Sequence, residues 1–440
     1  MRVPSRFLST ALFAAAFAVP ATTPVKAATF KVIHDFCAKA SCTDGSGPRS
    51  EIFIDGTGHL FGTTAQGGKA NSGTFYELAR DEGTGKWKYT TLYDFCSKAD
   101  CTDGSLPLGK LIVDTNGNFY GVTYSKGGHG GSGVAYRLSP DANGKWKSKT
   151  LYTFCTVGNC LDGFGMAGGL TYQGAQSGLP YDGKSPLYGG TRFGGSVGQG
   201  VIYRLTRANG GWTQSVIHDF CTETETCDLE DGADAAGALV MDNAGNLFGA
   251  TEGGGPNFGG TIFKLSPNGN AWDETILHSF CDQFACEEGA MPTGVVMNSG
   301  GDLLGSTQQS IGSEGTAGVA FKLAANGDYS VPHKFCSQNG CTDGRQPFSS
   351  VAIDASGNIF GTTISGGGHN SDPNHSGGGV LFRVSAAGQF NVLHAFCAKS
   401  NCTDGAYPMT SAVADPDGHL YGTTSIGGKF GQGVVYEILP

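Results

Sequence analysis

The sequence predicts an all-β fold: a seven-bladed β-propeller of four-stranded antiparallel blades, closed by the N-terminal strand completing the last blade. Three observations predict it. Fourteen cysteines fall into seven evenly spaced pairs. Seventy-three glycines with only 15% charged residues suit many tight turns between short strands. One strand is missing at one end of the repeat array and is supplied at the other.

The cysteine pairs are Cys37/Cys42, Cys96/Cys101, Cys155/Cys160, Cys221/Cys227, Cys281/Cys286, Cys336/Cys341 and Cys397/Cys402. Their first members stand 59, 59, 66, 60, 55 and 61 residues apart, which is an internal repeat. A phenylalanine precedes the first cysteine every time: Phe36, Phe95, Phe154, Phe220, Phe280, Phe335 and Phe396. A Gly-x-Thr-like step also recurs seven times, as in Gly62-Thr63-Thr64, Gly121-Val122-Thr123 and Gly249-Ala250-Thr251.

Each unit reads as four strands. In the fourth copy they are Gly237 to Met241, Leu247 to Thr251, Thr261 to Leu265 and Glu274 to Phe280, with turns at Asp242–Asn246 and Pro267–Asn270. Units of this kind form blades around a channel. A linear solenoid would need atypical capping repeats, and neither end resembles one. Before the first cysteine pair there is only the strand Phe30 to Phe36. After the last pair there are only three, ending at Val434 to Leu439. Pairing these ends removes two exposed sheet edges.

Residues 1–27 read as a signal peptide, leaving 28–440 as the propeller. Arg2 and Arg6 precede the apolar run Leu8 to Val19, and Val25-Lys26-Ala27 is a small-residue cleavage site. The run is too short to span a bilayer, and nothing later resembles a membrane span. There is no arginine pair, and no cysteine at the cleavage point to take a lipid. The expected product is a secreted or periplasmic monomer. Its formal charge of −10 becomes −13 once Arg2, Arg6 and Lys26 leave, so it carries no cationic footprint for nucleic acid.

The segments Gly117-Asn-Phe-Tyr-Gly-Val-Thr123 and Gly127 to Leu138 resemble the tandem GloVer repeat family of bacterial exported proteins, and the resemblance covers nearly the whole expected mature chain. It implies a propeller and no defined activity. Some relatives end in a sorting or membrane anchor, whereas here Pro440 directly follows the last expected strand.

In an exported chain, even-numbered and evenly spaced cysteines read as local disulfides. Zinc would need about four ligands at one point, and each pair stands a blade away from the next. Closing so short a loop contributes on the order of 2 kcal/mol per bridge. The histidines His34, His218, His278, His333 and His394, exchanged for Tyr93 and Tyr152 in two copies, read as packed rings with a polar tip, because tyrosine does not replace a metal ligand of this kind. Gly127 to Gly133 is followed by a strand, which excludes a phosphate loop. The Asp-Gly steps at Asp44, Asp103, Asp162, Asp231, Asp343 and Asp404 read as turns that close the cysteine loops. A calcium ion in each is the competing reading, but it wants six to eight oxygens.

Function is sought where the repeat breaks. The loop entering the fourth blade carries Glu223, Glu225, Asp228, Glu230, Asp231 and Asp234, and the next adds Glu287 and Glu288. The sixth blade's glycine loop lengthens to include His369, Asp372 and His375, the candidate metal ligands. All should open on one face of the ring. A fourth departure, Gln173 to Pro186, should hang on the opposite face as a surface loop. No Gly-x-Ser-x-Gly or His-Glu-x-x-His step occurs. Two functions therefore stand: a non-catalytic binding or scaffolding propeller for an extracellular or periplasmic protein or polysaccharide, and a carbohydrate-active or metal-assisted hydrolase or lyase. No cofactor is expected beyond a divalent cation such as calcium on the acidic face.

Overall fold

The computed structural model describes residues 29–81, 83–127, 131–166, 168–208, 210–222, 231–281, 286–312, 315–368 and 377–439. They form seven antiparallel blades. The fourth is built from Gly232–Met241, Leu247–Gly254, Thr261–Asn268 and Ala271–Ser279 in spatial order. Its last two strands run longer than the sequence predicts, because Gly269 takes φ +61° and closes a two-residue turn between Asn268 and Ala271. In the third blade the innermost strand is reduced to isolated bridges, Phe164 with Phe193 and Thr171 with Tyr188. The ring closes as predicted: Thr29–Asp35 lies antiparallel to Val434–Leu439, from Thr29 opposite Leu439 to Asp35 opposite Val434. Among the described residues no helix is long and apolar enough to cross a membrane.

The repeated residues hold neighbouring blades together. Each phenylalanine before a cysteine is at most 3% exposed. It meets an aromatic ring on the third strand of the next blade: Phe36 with Tyr76 at 5.3 Å, Phe154 with Tyr203 at 4.8 Å, Phe220 with Phe263 at 5.5 Å, Phe396 with Tyr436 at 5.2 Å. Such pairs add about 0.5–1.5 kcal/mol each beyond their buried area. The glycine of the Gly-x-Thr step leaves room for that ring, since a Cβ on Gly62 would stand 2.5 Å from the Tyr76 hydroxyl. The threonine that follows accepts the first N–H of the third strand, as Thr64 Oγ1 does from Thr74 at 3.0 Å and Thr251 Oγ1 from Thr261 at 3.0 Å. Packing and backbone satisfaction thus explain the motif in full.

Six cysteine pairs are joined within their own loops: Cys37–Cys42, Cys96–Cys101, Cys155–Cys160, Cys281–Cys286, Cys336–Cys341 and Cys397–Cys402. Cys221 is disulfide-bonded, and its expected partner Cys227 lies outside the described residues. Among the described residues, cysteine loops rest on the glycine loop of the blade they enter, with Cys42 O accepting from Gly68 N–H and Cys402 O from Gly428 N–H, both at 2.9 Å. The two loop sets share one face, the cysteine-loop face.

The inserted stretch after Gln173 runs over the surface of the opposite face, as expected, with most of its residues exposed. What the sequence does not announce is that one residue anchors it. Tyr181 is fully buried, with its ring 5.1 Å from both Tyr120 and Tyr172. Its backbone bonds to Val113 and Thr115 of the second blade, and Gln176 Nε2 donates to Met297 O of the fifth at 2.6 Å. Tyr181 thus anchors the segment in the core shared by the second and third blades, and the bond to Met297 makes it a strap reaching from the second blade to the fifth.

Candidate functional site

At the rim, one arrangement recurs between successive blades. The histidine or tyrosine two residues before the repeated phenylalanine points at the aspartate of the following cysteine loop. His333 Nε2 stands 3.1 Å from Asp343, His394 Nε2 3.2 Å from Asp404, and Tyr93 and Tyr152 donate to Asp103 and Asp162 at 2.5 and 2.8 Å. The same aspartates accept backbone N–H groups just after the first cysteine, as Asp404 does from Ala398 and Lys399, both at 3.1 Å. Histidine and tyrosine interchange here because either supplies one donor. The aspartates are therefore committed to structure.

Burial would raise the Asp404 carboxyl, but His394 and the backbone donors outweigh it and hold the group below the usual carboxylate range. A depressed pKa stabilises the fold above the unfolded value near 4, and that stabilisation is lost as pH falls through the folded value. Asp404→Asn should therefore cost about 2 kcal/mol at pH 7 and progressively less below pH 4. Urea unfolding of both proteins across that range checks it.

A third residue completes each junction, six positions before the next repeated phenylalanine. In four junctions it is an aromatic ring stacked flat on the histidine: His34 on Tyr89 at 3.9 Å, His278 on Tyr329 at 4.0 Å, His333 on Phe390 at 3.5 Å and His394 on Phe30 at 3.7 Å. Where tyrosine replaces histidine, the position holds Ser148 or Gln214. Between the third and fourth blades it holds Glu274. His218 there faces two carboxylates, with Nε2 3.5 Å from Asp231 Oδ1 and 3.4 Å from Glu274 Oε1. Burial works against a charged imidazole, yet the two carboxylates raise His218 overall. Burial would also raise Asp231, but His218 and the Cys221 N–H hold it low. Glu274 is pushed up to about 7 by burial, with the charge of Asp231 adding to the shift. His218 had looked like the other rim histidines. Glu274 was missed, although its offset from Phe280 marks it out once the repeats are aligned.

The other predicted site residues do not join this cluster. Glu287 pairs with Lys334 at 3.1 Å in solvent, and Glu288 lines a shallow pocket of about 460 Å³ with His278 and Tyr329. Glu223, Glu225, Asp228, Glu230, His369, Asp372 and His375 lie outside the described residues. A second grouping of ligand-type atoms, Asp415, Asp417 and His419, belongs to a hairpin turn. Asp415 Oδ1 accepts both Asp417 N–H and His419 N–H at 2.9 Å there, as Asp354 and Asp242 do in the corresponding turns.

The innermost strands also begin, at the cysteine-loop face, on a repeated backbone. The second residue after each Asp-Gly-type step begins the innermost strand with positive φ: Gly47 +57°, Leu106 +56°, Gly165 +74°, Asp234 +58°, Met291 +58°, Gln346 +57° and Tyr407 +54°. For side chains other than glycine this left-handed conformation costs roughly 1–2 kcal/mol. It persists because the N–H reaches the glycine loop of the preceding blade, as Leu106 does to Ser72 O at 3.0 Å and Met291 to Gly259 O at 2.7 Å. A second set of positions, just after the repeated threonine, reads Ala65, Tyr124, Arg192, Glu252, Gln308, Ile364 and Ser425. Arg192 pairs with Glu252 and is felt by Asp234. Burial raises both the Asp234 and the Glu252 carboxyls, and Arg192 pulls against the shift in each. Five exposed apolar side chains, Val157, Leu161, Phe258, Ile426 and Phe430, stand in loops of the same face.

No curated protein matches the chain. Its fold is similar to that of a candidate 6-phosphogluconolactonase from Bacteroides uniformis, at 12% identity and TM-score 0.46 over 82% of this chain and 86% of that one. It is also similar to a candidate oxidoreductase (glucose dehydrogenase) from Thermus thermophilus, at 16% identity and TM-score 0.41 over 76% and 96%. A third similar structure is PorZ, a bacterial surface component of the type-IX secretion system of Porphyromonas gingivalis, at 14% identity and TM-score 0.42 over 83% of this chain and 47% of that one. The Gloeobacter/Verrucomicrobia repeat model matches residues 18–182 and 275–440, and His218, Asp231 and Glu274 fall in the interval between. The two matched stretches span most of the sequence, and the chain belongs to the Gloeobacter/Verrucomicrobia repeat family.

Proposed function

We propose that the chain is an exported binding or scaffolding propeller whose ligand, a polysaccharide or protein of the periplasm or cell exterior, seats across the channel mouth on the cysteine-loop face. One observation carries this reading. Leu106, Asp234, Met291, Gln346 and Tyr407 are five different side chains on one strained and repeated backbone conformation. Strain retained at equivalent positions while the side chains vary points to function. Glycine would serve the fold better there, as Gly47 and Gly165 do. Among the two repeated sets of positions, Tyr124 and Tyr407 offer apolar faces and Arg192, Gln308 and Gln346 a few directional polar groups, the usual make-up of a ligand site. Polysaccharide is the favoured class, since sugar rings present an apolar face and many hydroxyls. The cysteine pairs suit an oxidising compartment outside the cytoplasm, and the apolar leader at residues 1–27 suits export.

The test replaces Leu106, Met291 and Tyr407 together by glycine and measures binding to a panel of soluble polysaccharides. The triple variant should hold or gain stability and bind at least tenfold more weakly. Wild-type affinity in that variant would return these residues to a purely structural role. A second reading, a hydrolase or lyase, rests on the raised Asp234 and Glu252 carboxyls beside Arg192. Cleavage of a bound polysaccharide, lost in Glu252→Gln, would select it.

A further inference from the structure

We infer that His218, Asp231 and Glu274 form a binding site for one divalent transition ion of the zinc type at the junction of the third and fourth blades. The three donor atoms, one imidazole nitrogen and two carboxylate oxygens, lie within 4.8 Å of one another. They come from three separate elements: the outer strand of the third blade, the end of the loop entering the fourth, and the outer strand of the fourth.

The spacing separates this cluster from the junctions of His333 and His394. There the histidine stands 3.1–3.2 Å from its aspartate, within hydrogen-bond reach. Here the separations from Nε2 are 3.5 and 3.4 Å. Zinc–nitrogen bonds of 2.0–2.1 Å and zinc–oxygen bonds of 2.0–2.2 Å at tetrahedral angles set neighbouring ligands about 3.3–3.5 Å apart. Neither His218 Nε2 nor Glu274 Oε1 is reached by solvent, and neither makes a hydrogen bond. Buried polar atoms left without a hydrogen bond are costly for the fold, and a cation shared by His218, Asp231 and Glu274 removes that cost.

Charge and outer partners agree with this assignment. A neutral imidazole with two carboxylates balances a doubly charged ion. Asp231 is oriented by Cys221 N–H on one oxygen and Gly232 N–H on the other, both at 2.7 Å. Such outer-sphere bonds usually fix metal ligands. An imidazole donor selects zinc and its neighbours over calcium, which takes six to eight oxygens. Three protein ligands leave a fourth position for water or an external group. The remaining junctions cannot bind an ion this way, because a ring or a neutral side chain stands where Glu274 does.

The full chain, free of any affinity tag that binds metal and stripped with chelator, is titrated with Zn²⁺ alone and separately with Ca²⁺ alone. Bound metal is counted by elemental analysis. One Zn²⁺ per chain is expected, with Ca²⁺ failing to displace it and the melting temperature rising with Zn²⁺ concentration. Glu274→Tyr, which copies Tyr89 and Tyr329, should stack on His218 and abolish Zn²⁺ binding while the metal-free chain melts no lower. Glu274→Gln, close to isosteric, should weaken binding at least tenfold. Cobalt substitution should give tetrahedral absorption bands that disappear in His218→Ala. A wild-type chain that takes up no Zn²⁺, or equal uptake by Glu274→Tyr, overturns the site and leaves the polysaccharide reading of the channel mouth untouched.

Discussion

Deleting residues 29–35 is expected to abolish the folded monomer and give a soluble aggregate or precipitate. The segment supplies the outer strand of the last blade, paired along its length with Val434–Leu439. Without it, a six-residue strand whose first five residues are buried becomes an open sheet edge, a template for pairing with other chains. The loss also strips the ring Phe30 from His394, on which it stacks at 3.7 Å, and the Asp35 carboxylate from Lys429 N–H, which it accepts at 2.7 Å. Light scattering and near-ultraviolet dichroism report the result. A permuted chain separates closure from mere length: it begins at Cys37 and carries residues 29–36 after Leu439, joined by a turn like Asn268-Gly269-Asn270. The permutant restores the same strand pairing and should fold as the native chain does. A deletion variant that remains monomeric with native dichroism would show that the ring does not depend on this strand.

The seven blades were legible in the sequence because the repeated residues answer local demands met identically in each. Phe220 must fill the space beside Phe263, Gly249 must clear that ring, and Thr251 must accept the first N–H of the strand opposite. Spacing alone exposes such residues. Closure was legible for a related reason, since strands can be counted and edges must be covered. What the sequence hid depends on contacts between blades. Glu274 reads as an ordinary polar residue on an outer strand until its equivalents prove to be rings lying on histidines. The variation at Leu106, Met291 and Tyr407 was visible, but their left-handed backbone was not, because nothing in a bulky side chain announces positive φ. Regularity also misled at His218. Five histidines in equivalent places read as one structural device, and the neighbour that sets one of them apart is supplied by the next blade.

Tyr181→Ala is expected to cost about 3–5 kcal/mol, the usual range for emptying a large aromatic from a core. A residue on a true surface loop would cost within about 0.5 kcal/mol. The side chain is fully buried between Tyr120 and Tyr172, in a cluster that also holds Leu187, Tyr203 and Leu205. Removing it unseats the strap from the second blade, where Tyr181 bonds to Val113 and Thr115, and slackens the reach of Gln176 to Met297. Limited proteolysis should then cut between residues 173 and 186, while the wild type resists there. Tyr181→Phe should lose only about 1 kcal/mol, because it forfeits one hydrogen bond, from the hydroxyl to Ser185 O. The contrast also bears on function. The strap bridges the second and fifth blades on the face opposite the cysteine loops. Loosening it should leave polysaccharide binding at the cysteine-loop face unchanged. A variant that lost binding in step with stability would place the ligand on the strap instead.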